Sequence, residues 1–170
     1  MNQNISPNEN AREFPERKTP RAYFHDYSGG EYFVTICTKE KKHYFGKIHD
    51  CQIVYSRLGN ETVKLINDLE AHYPYMNLRQ FVVMPNHIHA IIRINENIPD
   101  NLMPKCRSVL SVILGGLKQS VTMFARRNGI DFDWQKNYHD RIIRNQEECN
   151  RISEYISNNI VRWEKDYFFN

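Results

Sequence analysis

The sequence has few of the features that mark secreted, zinc-binding or membrane proteins. It contains no Cys-x-x-Cys pair, no apolar run long enough to cross a membrane, and no signal-peptide core at its N-terminus. Four cysteines are scattered along the chain, at Cys37, Cys51, Cys106 and Cys149. We interpret them as reduced thiols, and we expect a cytoplasmic protein with no membrane partner.

Charge is close to balanced over the 170 residues, with 23 Lys and Arg against 20 Asp and Glu, a net charge of +3. This balance permits a nucleic-acid partner without requiring one. Residues 1–20 are polar, rich in Asn and Pro, and basic toward their end, which predicts a flexible basic N-terminal arm. Residues 21–170 show no repeat or linker and are long enough for a single domain.

Hydrophobic periodicity predicts four strands and three helices in the order strand, helix, strand, strand, helix, strand, helix. The predicted strands span 32–38, 78–84, 87–94 and 138–144, and the helices span 61 to about 72, 108–128 and about 146–162. This order favours an α+β fold, a ferredoxin-like antiparallel sheet with helices on one face.

Three local signals refine the two central helices. Asn60 and Ser108 are candidate N-caps, because their side chains can accept a backbone N–H of the first turn. Gly115 and Gly116 lie in the middle of the long helix, where each costs about 1 kcal/mol relative to Ala. The pair therefore predicts close packing or a bend.

The stretch "VVMPNHIHAII", residues 82–92, places two histidines in an apolar run. Alternate residues of a strand share a face, so Ile88 and Ala90 should face the helices while His87 and His89 project together from the less covered face. Two imidazoles on a rigid strand can hold one metal ion. The pair by itself is weak evidence, since half-exposed histidines bonded to water or backbone would give the same pattern.

The final helix offers a tyrosine and an asparagine four residues apart. Tyr155 and Asn159 should lie one turn apart on the same surface, where the hydroxyl could act as a nucleophile and the amide oxygen could bind a hard cation. Periodicity alone favours a packing tyrosine at the edge of an amphipathic helix, since most of the ten tyrosines must be structural. Tyr138 and Tyr167 are the competing candidates.

Several stretches, above all "FVVMPNHIHAIIRI", "WQKNYHDRIIRNQEE" and "ISEYISNN", resemble the REP-associated tyrosine transposases of the HUH single-strand DNA transposase superfamily, over about residues 20–165. The resemblance implies a ferredoxin-like catalytic domain in which Tyr155 is the nucleophile. It implies that His87, His89 and Asn159 bind Mg²⁺ or Mn²⁺. One departure is Ile160, where that family usually has Pro, so the helix is expected to continue past Asn159.

The resemblance also implies that single-stranded or hairpin DNA is the partner, cleaved and rejoined through a covalent 5′-phosphotyrosine; a monomer and a homodimer both stay open. Basic residues are expected to contact DNA phosphates, and the candidates are Arg17, Arg21, Lys118, Arg126, Lys136, Arg141 and Arg144. Metal binding needs neutral imidazoles, so activity is expected to fall at acid pH as His87 and His89 protonate.

Three other functions compete with this interpretation. A catalytically quiet DNA hairpin-binding protein with a domesticated regulatory role would be favoured by a missing ligand or nucleophile, yet all four residues are present. A zinc hydrolase would need a carboxylate at helical spacing from His87 or His89, and the sequence has none there. An RNA-binding module of similar topology would need aromatic residues on the exposed face of its central strands, where the strand over residues 87–94 instead has histidines.

Overall fold

The computed structural model describes residues 29–104 and 108–165. The predicted N-terminal arm lies outside the described residues, with the candidate DNA contacts Arg17 and Arg21. Tyr167 lies outside them as well. Among the residues that are described, no helix combines the length and apolarity that crossing a membrane requires.

The described residues form six strands and four α-helices. The strands are β1 (Gly30–Cys37), β2 (Gly46–His49), β3 (Gln52–Tyr55), β4 (Met76–Val83), β5 (His87–Ile94) and β6 (His139–Ile142). The helices are α1 (Arg57–Asn67), α2 (Leu69–His72), α3 (Val109–Arg127) and α4 (Gln146–Asn158), followed by a short 3-10 turn at Trp163–Lys165.

Four of the strands form one sheet in the order β4-β5-β1-β6, and every neighbouring pair is antiparallel. The predicted α+β, ferredoxin-like class is confirmed. The central strand β1 connects through α1 and α2 to the edge strand β4, and the central strand β5 connects through α3 to the edge strand β6. The hairpin of β2 and β3 was not predicted. Each strand is only four residues long, and its turn uses Asp50 and Cys51 at positive φ instead of the usual Asn-Gly.

Helices α1 and α3 pack on one face of the sheet and build the main core. Ile88 and Ala90 of β5 lie in this core, as predicted, together with Ile66 of α1 and Leu110 and Leu117 of α3. Period-two alternation in β5 therefore identified the face that carries the larger apolar cluster.

Helix α4 packs on the opposite face, over β4 and β5. Ile156 of α4 and the following Trp163 form a second apolar cluster with Val82 and Ile91. The expectation that this face is less covered is wrong for its β4–β5 half. The periodicity of a strand shows which residues share a face, but it does not show what packs on that face.

Helix boundaries differ from prediction at two ends. Helix α1 begins earlier, because the side chain of Ser56 accepts the N–H of Gly59 and acts as the cap in place of Asn60. Helix α4 ends at Asn158, four residues earlier than predicted, although Asn159 keeps helical backbone angles. Ser108 caps α3 as predicted, accepting the N–H of Ser111.

The two glycines of α3 differ in their surroundings. A Cβ added at Gly116 would clash with the hydroxyl of Tyr73, whereas a Cβ at Gly115 would meet nothing within 4 Å. Close packing is therefore the reason for a glycine at position 116 only.

We expect Gly115→Ala to raise the free energy of unfolding by about 1 kcal/mol, because alanine has the higher helix propensity and the space is open. Gly116→Ala should gain less or destabilise, because the Tyr73 ring must move. Urea denaturation measures both. In a Tyr73→Phe background Gly116→Ala should recover part of the gain, and equal effects of the two alanines in the wild type would contradict the assignment.

Candidate active site

Strand β5 holds the two histidines side by side beneath α4. The ring centroids of His87 and His89 are 4.5 Å apart, and the residues are 0% and 1% exposed. They project from the same face, as the alternation predicts, but they are fully buried instead of half-exposed. Buried polar rings need partners, and each ring is held at its Nδ1 atom.

Asn86 holds the ring of His87. The Asn86 Oδ1 atom is 2.8 Å from Nδ1 of His87, and the amide nitrogen of Asn86 donates to the carbonyl of Lys41 at 3.1 Å. Because the amide nitrogen is engaged by Lys41, the oxygen faces the imidazole, and the network assigns the hydrogen to Nδ1 of His87. Its Nε2 is then the atom with the lone pair.

His87 stays neutral over the physiological pH range. Burial, and secondarily the positive charge of Lys41, lowers the pKa of His87 from 6.5 to about 3. Protonation of His87 therefore does not explain a fall in activity at mildly acid pH, which the sequence-based expectation assumed. The neutral imidazole is the form that binds metal ions.

His89 joins the sheet to α4. Its Nδ1 is 2.8 Å from Oγ1 of Thr35, the residue paired with it on β1, and its Nε2 is 3.2 Å from the hydroxyl of Tyr155. Tyr155 is 40% exposed, so its hydroxyl contacts a buried ring while the residue remains accessible from solvent.

Asn159 lies at the end of α4 and is 2% exposed. Neither atom of its side-chain amide has a hydrogen-bond partner among the described residues. The ring of Tyr155, one turn before it, is 5.3 Å from His89, and the ring of Trp163, one turn after it, is 6.0 Å from His87. Asn159 therefore lies between two contacts to the histidine pair. A buried amide without partners costs about 1–3 kcal/mol, which suits a group that binds a ligand.

The polar groups at this site can serve as metal ligands. No group of three His, Cys, Asp or Glu side chains in the described part of the chain could hold a metal ion, so the zinc-hydrolase alternative gains no carboxylate ligand. His87, His89 and Asn159 offer two imidazole nitrogens and one amide oxygen, which are donor types that could bind a divalent metal ion.

A cleft of about 460 Å³ opens beside α4, on the half of the sheet face that α4 leaves uncovered. Phe33 and Thr35 of β1 and Arg141 of β6 line one side, and Arg151 and Tyr155 of α4 line the other. The amide of Gln80 on β4 donates to the backbone and side chain of α4, at Ser153 O and Ser157 Oγ. These bonds keep α4 over β4 and leave the β1–β6 side open.

The predicted DNA contacts on the described chain divide between two faces. Arg141 lines the cleft and pairs with Glu148, whose pKa is held below its usual value by the backbone N–H of Arg144 and by the charge of Arg141. Arg144 is exposed just before α4 and lines a different cleft, with Arg79 and Arg93, whose lining does not include Tyr155.

Three other predicted contacts do not line the cleft that contains Tyr155. Lys118 and Arg126 are on α3, which packs on the opposite face. The Lys118 ammonium donates to the carbonyl of Gln135 and lies 5.6 Å from the Trp134 ring, so it tethers the loop before β6. Lys136 is exposed in that loop. The structure thus brings Arg141, and not these three, next to the tyrosine.

Sequence reasoning missed three residues at this site. Arg151 lies one turn before Tyr155 and lines the cleft; the four-residue spacing places it on the strip of Tyr155 but does not mark it as a DNA contact. Asn86 is adjacent to His87 in sequence, but its role depends on the contact with Lys41. Thr35 is 54 residues from His89, and only the pairing of β1 with β5 brings them together.

No family model matches the chain. A protein of Haemophilus influenzae, described only as uncharacterised, is 35% identical over 167 residues, covering 90% of this chain and 93% of that protein. Among solved structures, a REP-associated tyrosine transposase bound to a REP hairpin is 19% identical with a TM-score of 0.58, covering 84% of this chain and 72% of that one.

The structural likeness defines the class of the fold, which is that of the tyrosine transposases. The Haemophilus influenzae protein is more similar to this chain in sequence, and the similarity extends over nearly the whole length of both proteins. The chain therefore belongs to the same family as the Haemophilus influenzae protein.

Because His87 has a lower pKa in the folded protein than in the unfolded chain, the unfolded chain binds more protons between pH 6.5 and 3. His87 should therefore lower the free energy of unfolding by about 1.4 kcal/mol per pH unit as the pH falls through that range. Comparison of wild type with His87→Gln by urea denaturation from pH 7 to 5 tests this. Their stability difference should change by about 2 kcal/mol in favour of the variant, and a constant difference would contradict the lowered pKa.

Proposed function

We propose that this protein is a metal-dependent single-stranded DNA transposase or endonuclease, which cleaves and rejoins hairpin-flanked DNA through a covalent 5′-phosphotyrosine. The observation that carries the proposal is the hydroxyl of Tyr155, 3.2 Å from Nε2 of His89, with His87 beside it. The fold supports it, since the solved tyrosine transposase of the same fold is bound to a REP hairpin.

His87, His89 and Asn159 would hold the metal ion, Mg²⁺ or Mn²⁺. The unpartnered amide of Asn159 supports this assignment, because its oxygen is a ligand type that both ions accept. A bound ion would act as a Lewis acid on a phosphoryl oxygen of the scissile phosphate.

Tyr155 would supply the nucleophile. Its Oη forms a bond to phosphorus, the bond from phosphorus to the 3′ oxygen breaks, the phenol loses its proton, and the leaving 3′ oxygen gains one. The phosphodiester is exchanged for a phosphotyrosine, so a 3′-hydroxyl can reverse the reaction without ATP. A water nucleophile would instead end the reaction by hydrolysis, which explains the use of a tyrosine.

The cleft beside α4 would take the DNA strand. The ring of Phe33 on its floor can stack on a base, while Arg141 and Arg151 on its two sides can bind phosphates. Both kinds of contact suit an unpaired strand, whose bases are available for stacking. Tyr155 lies on the wall of the same cleft, so a strand bound there passes the nucleophile.

A covalent trapping experiment tests the nucleophile. Labelled single-stranded DNA with a palindromic hairpin is incubated with the protein and Mn²⁺ or EDTA, then separated on a denaturing gel. We expect a metal-dependent protein–DNA band that Tyr155→Phe abolishes and Tyr138→Phe retains. Loss of the band in Tyr138→Phe alone would move the nucleophile, and hairpin binding without any covalent band would favour the quiet DNA-binding alternative.

Arg151→Gln should weaken binding of single-stranded DNA, because it removes one phosphate contact. The slope of log affinity against log salt should become shallower by about 0.7, the value expected for one phosphate on a single strand. Fluorescence anisotropy over a salt series measures this. Arg127→Gln is the matched control, since Arg127 is exposed on α3 at the other face; equal effects of both variants would exclude a specific contact in the cleft.

A further inference from the structure

The imidazole rings of His87 and His89 are held in the same way, each by a contact at its Nδ1 atom. Each Nδ1 has a partner at 2.8 Å, Asn86 Oδ1 for His87 and Thr35 Oγ1 for His89. Thr35 and Asn86 are themselves buried, at 5% and 1% exposure. The two contacts come from different elements, since Asn86 precedes β5 and Thr35 belongs to β1.

The two contacts differ in what they determine. An amide oxygen can only accept, so Asn86 fixes the hydrogen of His87 on Nδ1. A threonine hydroxyl can donate or accept a hydrogen bond, and the tautomer of His89 depends on whether Thr35 donates or accepts. If the hydroxyl accepts, Nε2 of His89 has a lone pair facing Tyr155. If it donates, Nε2 carries the hydrogen and can neither bind a metal nor accept from the tyrosine.

We propose that Thr35 is a positioning residue, whose hydroxyl accepts the Nδ1 hydrogen of His89 and gives both histidines of the site the same tautomer. This inference rests on the proposed function, in which one metal ion binds both histidines, because the Nε2 lone pairs of both must then be available. Partners of this kind orient metal-binding histidines and keep their ring planes fixed.

The pairing of the strands explains why a residue of β1 has this role. Thr35 is directly opposite His89 in the antiparallel register of β1 and β5, on the same face of the sheet. Side chains of opposite residues lie close enough to touch. The residue opposite His87 is Cys37, and the contact to His87 comes instead from Asn86.

Nitrogen NMR of the metal-free protein tests the tautomer directly. Two-bond ¹⁵N–¹H correlations at neutral pH should show hydrogen on Nδ1 for both histidines in the wild type and in Thr35→Ser. In Thr35→Val, which keeps the shape but loses the hydroxyl, His89 should lose its single tautomer while His87 keeps Nδ1–H. Hydrogen on Nε2 of His89 in the wild type would overturn the proposal.

Calorimetric titration with Mn²⁺ gives a second measurement. Thr35→Val should weaken Mn²⁺ binding about 10- to 100-fold, and Thr35→Ser should restore most of it. Thr62→Val is the matched control, since Thr62 is equally buried but bonds to Leu58 O within α1 on the other face. Unchanged affinity in Thr35→Val would contradict the role.

The two measurements separate this inference from the proposed function. If the wild type binds no Mn²⁺, the metal-dependent part of the proposed function fails, while the tautomer of His89 still decides the role of Thr35. If Mn²⁺ binds and the covalent DNA band is absent, the chemistry fails and the positioning role stands on its own measurements.

Discussion

Burial of two imidazoles under α4 is the constraint on which this site depends. The ring of His89 contacts Tyr155 of α4, and the ring of His87 contacts Trp163 in the 3-10 helix that follows α4, so residues eight apart in sequence lie over the histidine pair. These contacts fix the height and rotation of α4 above β5. The two histidines, which would otherwise destabilise the sheet surface, thereby become part of the interface that holds α4, the helix that carries Tyr155.

The division of the sheet into two unequal faces follows from the same packing. Helices α1 and α3 bury a continuous aliphatic face, which provides most of the hydrophobic stabilisation. The other face is only half covered by α4, and the uncovered half forms the cleft. One face thus provides stability, while the other combines a buried site for the histidines with an open cleft next to Tyr155.

Local signals predicted much of this arrangement. Alternation along "HIHAIIRI" defined β5 residue by residue, and the four-residue step from Tyr155 to Asn159 placed both on one stripe. Long-range contacts were beyond such signals. The short hairpin of β2 and β3 has turn residues that do not signal a hairpin in the sequence. The burial of His87 depends on the packing of α4. The contact of Thr35 with His89 depends on the pairing of strands that are far apart in sequence.

Helix α4 is attached to the sheet along its length, by Gln80 at Ser153 and Ser157 and by the packing of Trp163 beyond its end. Tyr155 therefore sits on a helix that is held on both sides of it. Under the proposed chemistry, a DNA end joined to Tyr155 would stay where the strand was cut. The strand to be joined must then come to the tyrosine, so exchange of DNA ends becomes a matter of which 3′-hydroxyl enters the cleft.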